Sequence, residues 1–196
     1  MAIRRDQEQP KRNRLEMELE AYLELEKISK KFKYEYLDGY AYALAGGSNA
    51  HDTISYNAQA MLDAILGEDG LCKPHGPNVQ VVINEDKYVY PDAFVTCDEE
   101  GLDDKATKLH SPTLVIEVLS PGTQDMDQNE KLILYQSISS VHTYILVSSE
   151  MRRVQVYQRA DSGWTYDVYH AGQSITIRAM DITLPVNRFY RRTHVV

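Results

Sequence analysis

Two carboxylates carry the first chemical signal. Glu117 lies in Thr113-Leu114-Val115-Ile116-Glu117-Val118-Leu119, a run that is apolar on both faces. Such a run belongs in a central strand covered on both sides. An unpaired carboxylate there is costly, so Glu117 must be paired, protonated or bound to a cation. A structural ion pair with a Lys or Arg from a helix would meet the same need. Asp92 follows Pro91 at the start of Ala93-Phe94-Val95-Thr96-Cys97. Set beside Glu117 it would form an oxygen-only cradle that suits Mg²⁺, which keeps several waters and takes one or two protein carboxylates. Two like charges held close otherwise raise one pKa. Read alone, Pro91-Asp92 is equally a turn.

Lys131 is the third candidate. Asp127, Lys131, Tyr135 and Ile138 share one helical face beside Leu134, which turns the lysine toward a sheet. Its ammonium would orient an attacking water or offset charge on a phosphate in the transition state. The alternative is an exposed Asp127–Lys131 pair of little energetic weight. Glu35 alternates with Tyr34 and Tyr36, so it faces away from both and can add an oxygen ligand; a strand Glu more often faces solvent. His51, near a helix start, can contact a phosphate or move a proton, or simply belong to the capping turn. Tyr88 and Tyr90 would line a groove or pack in the core.

The elements that must position these residues follow from the pattern. A helix is predicted from about Leu15 to Lys30, on a stripe of Leu15, Leu19, Tyr22, Leu23 and Leu25 or Glu26. Tyr34 to Leu44 reads as a hairpin around Asp38-Gly39, a favoured two-residue turn. Ser48 or Asn49 caps a second helix that runs to about Leu66, with Asp52 in its first turn. The segments 78–84 and 87–97 read as strands joined around Asn84-Glu85-Asp86. A polar loop spans about 98–111, and 113–120 is the most strand-like segment. Pro121-Gly122 ends it, and Thr123 or Asp125 caps a third helix to about Ser139. Residues 143–148 form a strand, and a turn at Glu150-Met151-Arg152 leads into 153–159. Short strands at 164–170 and 174–177 follow. The order gives an α/β (α+β) fold, a mixed central sheet flanked by helices. Residues 1–14 read as a flexible polar arm and 15–196 as one domain.

The 196 residues are 43% hydrophobic and 26% charged, ordinary for a globular chain with a real core. No apolar run is long enough to span a bilayer, and the basic N-terminus lacks the apolar stretch of a secretory signal. Cys72 and Cys97 are expected as reduced core thiols, and the cytoplasm as the compartment. The net charge of −8 argues against a broad nucleic-acid-coating surface. It leaves room for a restricted basic path.

The set Tyr34 to His51, Tyr90 to Asp98, Pro112 to Gln136 and Thr143 to Arg159 resembles the bacterial family known as Uma-two-type "putative restriction endonucleases", whose core is like that of the PD-(D/E)XK nucleases. The resemblance runs from about Leu15 to the C-terminus. Its most specific pieces are Pro91-Asp92, Glu117-Val118-Leu119-Ser120-Pro121 and the Asp127/Lys131 spacing. It implies a restriction-endonuclease-like core and a Mg²⁺-dependent phosphodiesterase acting on DNA, with Mn²⁺ as a substitute. Asp92 and Glu117 would bind metal with help from the Val118 carbonyl, while Lys131 acts with them in catalysis. Asp127, Glu35 and His51 are additional site candidates. The wider superfamily places a Lys two residues after the Glu, where this chain has Leu119; Lys131 matches families in which that function has moved to the next helix.

The resemblance also points to a homodimer, for which Tyr157, Trp164, Tyr166 and Tyr169 are candidate contacts if they are not core. Two other readings compete. One is a non-catalytic nuclease-like module that binds nucleic acid or a protein. The other is a carboxylate-pair hydrolase such as a glycosidase, which needs aromatic platforms. Convergence of Glu35, Asp92, Glu117 and Lys131 on one cleft separates the nuclease from the non-catalytic module.

Overall fold

The computed structural model describes residues 14–29, 31–44, 46–68, 70–122 and 124–196. The described residues begin with β1 (Arg14–Glu16), α1 (Leu19–Ile28), the hairpin β2 (Tyr34–Leu37) and β3 (Tyr40–Ala43), and the long α2 (Asn49–Leu66). Then come β4 (Lys73–His75), β5 (Gln80–Asn84), β6 (Lys87–Val89), β7 (Ala93–Thr96), β8 (Lys108–Leu109) and β9 (Pro112–Leu119). Helices α3 (Gln124–Gln128) and α4 (Glu130–Ser137) lead to β10 (Thr143–Ser148), β11 (Arg153–Ala160), β12 (Gly163–His170), β13 (Ser174–Ile177), β14 (Ile182–Pro185) and α5 (Val186–Phe189).

Among the described residues the strands form two six-stranded sheets and one hairpin. The first sheet runs β1-β3-β2-β6-β5-β8, the second β12-β11-β10-β9-β7-β4, and β13 pairs with β14. In the second sheet β9 is parallel to β10 and antiparallel to β7, so it is a mixed sheet flanked by helices. α3 and α4 make the crossover that parallel pairing requires.

Alternation along the strands sorts side chains among three apolar clusters. Leu114, Ile116 and Val118 of β9 face α2, the β13–β14 hairpin and α5. Val115 and Leu119 face the other way, with Leu134 and Tyr135 of α4 and Leu37, Val81 and Val89 of the first sheet. Tyr36, Ala41 and Tyr88 pack under Tyr22 of α1. Glu117 therefore points into the layer that holds α4.

Local chemistry explains the key elements. Asp38 and Gly39 both have positive φ, 48° and 86°, as a tight two-residue hairpin turn demands. Ser48 caps α2 by accepting a hydrogen bond from the His51 N–H, and Ile54, Ala58, Met61 and Leu62 give the helix its buried stripe.

Five expectations are corrected. The first helix starts at Leu19, not Leu15, because residues 14–16 hydrogen bond to the edge of β3, where the Arg14 guanidinium lies 4.3 Å from the Tyr40 ring centroid. Arg14 thus belongs to a strand rather than to the arm; residues 1–13 lie outside the described residues. Segment 87–97 is two strands in different sheets, since Pro91 has no N–H to continue a ladder. The third helix is two short helices broken at Asn129, whose φ and ψ are −120° and −74°; Thr123, one of its expected caps, lies outside the described residues. The expected loop 98–111 contains a 3₁₀ turn at Glu100–Leu102 and strand β8.

Cys72 and Cys97 also depart from expectation: they form a disulfide rather than reduced thiols. Register explains it. Lys73 pairs with Thr96 in β4–β7, so Cys72 and Cys97 are the next facing positions, with Cα atoms 3.9 Å apart. No helix among the described residues is long and apolar enough to cross a membrane.

Candidate active site

Four carboxylates and one lysine meet between β9, β2 and the α3–α4 crossover. Lys131 Nζ donates to Glu35 Oε1 at 2.8 Å and to Glu117 Oε1 at 3.0 Å, and lies 3.4 Å from Asp127 Oδ1. Lys131, Glu35, Glu117 and Asp127 are all buried. The exposed helix pair weighed for Asp127 and Lys131 is therefore replaced by a buried pair. The break at Asn129 does not separate them. Tyr135 OH donates to Glu117 Oε1 at 3.1 Å and fixes that carboxylate from one side.

Asp92 meets Glu117 from the other side. The Asp92 N–H donates to Glu117 Oε2 at 3.3 Å, while Asp92 Oδ2 accepts the Val118 N–H at 2.7 Å. α2 secures this turn: Ser55 Oγ and Gln59 Nε2 donate to the Asp92 carbonyl at 3.0 and 3.2 Å. Further up the same helix, His51 Nε2 lies 3.3 Å from Asp92 Oδ2. The Val118 backbone also favours the charged form of the His51 ring.

Glu35 is held from a third direction. The Tyr90 N–H donates to Glu35 Oε1 at 3.1 Å, and Tyr90 OH donates to Glu26 Oε2. Tyr88 packs in the core, whereas Tyr90 lines the cleft.

Burial raises the Glu117 pKa well above the usual carboxylate range, and the Asp127, Asp92 and Glu35 charges add to this against the attraction of Lys131. Burial opposes charge on Lys131, but Glu117, Glu35 and Asp127 overcome it and hold the ammonium protonated. Burial likewise lowers His51, yet its bond to Asp92 wins and its pKa is raised. Four carboxylates thus face one ammonium and one imidazole. A proton on Glu117 relieves the surplus negative charge; a divalent cation would do the same.

All six candidate side chains, Glu35, His51, Asp92, Glu117, Asp127 and Lys131, line one cleft of about 920 Å³. Trp164 is not among its lining residues, so the aromatic platform that a glycosidase would need is not built from it. Trp164 and Tyr157 pack on the α4-side core, Tyr169 packs on the α2-side core, and Tyr166 is 50% exposed.

The Uma2 family model, described as "Putative restriction endonuclease", matches residues 19–187. The chain belongs to the Uma2 family. Uma2 relatives of similar length occur in Synechocystis sp. The "Uncharacterized protein slr1290" is 33% identical over 175 residues, 88% of this chain and 90% of the relative. The "Uncharacterized protein sll1609" is 29% identical over 135 residues, 67% of this chain and 76% of the relative. The fold is that of a crystal structure described as a "putative nuclease belonging to DUF820" from Anabaena variabilis. The two superpose with a TM-score of 0.70 at 16% identity, covering 88% of this chain and 96% of that one. Family membership supports a nuclease role.

The residues of this Uma2 site fit a hard cation held by two carboxylates. Asp92 Oδ1 has no hydrogen bond among the described residues, and Glu117 Oε2 has only the long one from the Asp92 N–H. No three His, Cys, Asp or Glu side chains among the described residues are grouped to enclose an ion. Asp92 and Glu117 are therefore the two side chains that would hold such an ion, with water and substrate completing its shell. Leu119, at the position of the superfamily lysine, is buried in the apolar cluster beside α4, and Lys131 reaches Glu117 in its place.

Sequence reasoning missed Ser55, Gln59, Glu26 and Gly47. Ser55 and Gln59 are spaced i, i+4 on one helix face, a readable signal, but their target is a backbone carbonyl. Gly47 matters because a Cβ there would lie 2.8 Å from His51 Nδ1.

Proposed function

We propose that this Uma2 protein is a metal-dependent endonuclease that hydrolyses phosphodiester bonds in DNA. The observation that carries the reading is the convergence of Glu35, Asp92, Glu117 and Lys131 on one cleft. A module that only binds nucleic acid gains nothing from a buried lysine ringed by carboxylates, which costs desolvation and is kept where charge must be handled. Mg²⁺, or Mn²⁺ in its place, held by Asp92 and Glu117 beside the Val118 carbonyl, would supply Lewis acidity and a more acidic water.

The remaining roles belong to the chain. Lys131, its ammonium already engaged by Glu35, Glu117 and Asp127, is a fixed positive charge beside Glu117 that offsets negative charge growing on a phosphoryl oxygen. Glu35 and Asp127 aim that ammonium, and Tyr135 holds the Glu117 rotamer. His51, bonded to Asp92, sits where it can donate a proton to a departing oxygen or contact a phosphate.

The test is cutting of single-stranded DNA and of supercoiled plasmid, whose strained duplex opens locally, by purified protein with Mg²⁺, with Mn²⁺ and with EDTA, beside Glu117→Gln. Cutting that needs the metal and disappears in the variant is expected. Cutting that survives Glu117→Gln, or no cutting of supercoiled or single-stranded DNA with either metal, overturns the reading.

A further inference from the structure

The mouth of the cleft carries a feature that the carboxylate chemistry does not use. Lys31, Phe32 and Lys33 line it directly upstream of β2. Phe32 is 59% exposed, an aromatic ring left in water at the entrance to a charged site. The segment is pinned rather than loose. Ser29 Oγ donates to the Phe32 carbonyl at 2.6 Å and accepts its N–H at 3.3 Å, and the Lys33 carbonyl accepts the Leu44 N–H at 2.9 Å. Lys33 Nζ is tied to the Pro77 carbonyl at 2.6 Å and lies 5.3 Å from the Tyr90 ring centroid. Lys31 is exposed. Phe32 and Glu35 are three residue steps apart, a span of at most roughly 10 Å, within reach of a nucleotide next to one held at the carboxylates.

The charge balance selects the kind of substrate. The chain carries −8 overall, and the cleft floor is acidic. A closed duplex, which is held mainly through many phosphate contacts, finds few partners here. A strand with accessible base faces can use the ring, because stacking on an aromatic side chain is sequence-tolerant and adds to a small number of phosphate contacts.

We propose that the Lys31–Phe32–Lys33 ledge binds an unpaired DNA strand, with a base stacked on Phe32 and a phosphate against Lys31, so that the substrate is DNA with unpaired nucleotides rather than closed duplex. This rests on the nuclease reading for the chemistry but not for the binding. Fluorescence anisotropy with a labelled mixed-sequence oligodeoxynucleotide, single-stranded or annealed to its complement, tests it on the Glu117→Gln background in Mg²⁺. The single strand is expected to bind more tightly than the duplex. Phe32→Ala weakens single-strand binding about tenfold while Phe32→Trp retains it. The slope of log affinity against log salt is shallow, about −0.7 to −1.4 for one or two phosphates, and flattens in Lys31→Ala. Duplex binding as tight as single-strand binding, or binding indifferent to Phe32→Ala, overturns the proposal. Cleavage by the wild-type protein separates the two readings. Glu117-dependent cutting without any Phe32 effect leaves the nuclease standing and removes the ledge; Phe32-dependent single-strand binding without Glu117-dependent cutting does the reverse.

Discussion

Lys131 Nζ and Glu35 Oε1 lie 2.8 Å apart across 96 residues of sequence, both buried. The contact joins α4 to the first sheet, and the same ammonium binds Glu117 in the second sheet. One side chain therefore ties two sheets together and supplies the only ammonium buried among the carboxylates of the described site.

Removing that ammonium should cost both stability and function. Lys131→Met leaves buried carboxylates without their cation and is expected to destabilise by about 3–5 kcal/mol in urea denaturation. Glu117 already has a raised folded pKa, so the native state retains a proton that the unfolded chain loses above the ordinary carboxylate range. Stability from such a group falls as pH rises, and the loss in Lys131→Met is accordingly larger at about pH 8 than at about pH 5. Equal losses at both would show that the carboxylates do not take up protons. Nicking activity should fall at least about a hundredfold, and Lys131→Arg should not rescue it, because a planar fork does not fit three convergent carboxylates.

Gly47 is expected to tolerate no side chain without moving His51. A Cβ would lie 2.8 Å from Nδ1 and 2.9 Å from Cγ of the ring, so Gly47→Ala pushes the imidazole off Asp92. Burial lowers the His51 pKa and the Asp92 bond raises it, with the bond prevailing. The variant should therefore show a lower His51 pKa by NMR titration, with cleavage reduced by up to about a hundredfold. An unchanged titration would mean the ring has room to stay.

His75 should make part of the protein's acid sensitivity. Its pKa is pushed down to about 4, chiefly by burial and then by the Lys73 charge. The ring bonds Thr96 Oγ1 at 2.9 Å and stacks 4.9 Å from Phe94. Because the folded pKa lies below the unfolded one, the stabilisation is complete above about pH 6.5 and is lost as pH falls toward about 4. After allowance for solvent screening it amounts to about 2 kcal/mol. His75→Gln, which can keep the Thr96 contact, should flatten the stability profile over that window; an unaltered profile would assign the acid loss to other groups.

The Cys72–Cys97 bridge closes a separation of 25 residues. By the chain-entropy account a loop of that size contributes about 3 kcal/mol. Thermal melts with and without reductant should differ accordingly, and Cys72→Ser should behave like the reduced protein and lose all response to reductant. Intact mass after alkylation without reduction gives the direct check: two alkylated thiols in the native protein would restore the reduced state that its composition suggested.

Much of this protein was legible from short-range pattern. Period-two alternation placed Glu35 opposite Tyr34 and Tyr36 and put Glu117 in a doubly covered strand. The Asp38-Gly39 turn and the Ser48 cap depend on backbone conformations that nearby residues dictate, and both appear where expected. The facing of Glu117 and Lys131 could be inferred from their own neighbours, whereas their grouping with Asp92 in one site was what the resemblance to the family implied. Long-range pairing was not legible in the same way. Nothing local says that β4 lies beside β7, so the facing of Cys72 and Cys97 was missed. Nothing local says that residues 14–16 prefer the open edge of β3 to another helical turn. Nor does any local pattern show that Ser55 and Gln59 would hold the Asp92 carbonyl, or that Glu26 would meet Tyr90. Sequence periodicity sets which face of an element a side chain occupies, through rotations of a few residues. Which faces then meet depends on how sheets and helices bury their apolar surfaces together, a property of the whole chain rather than of any window within it.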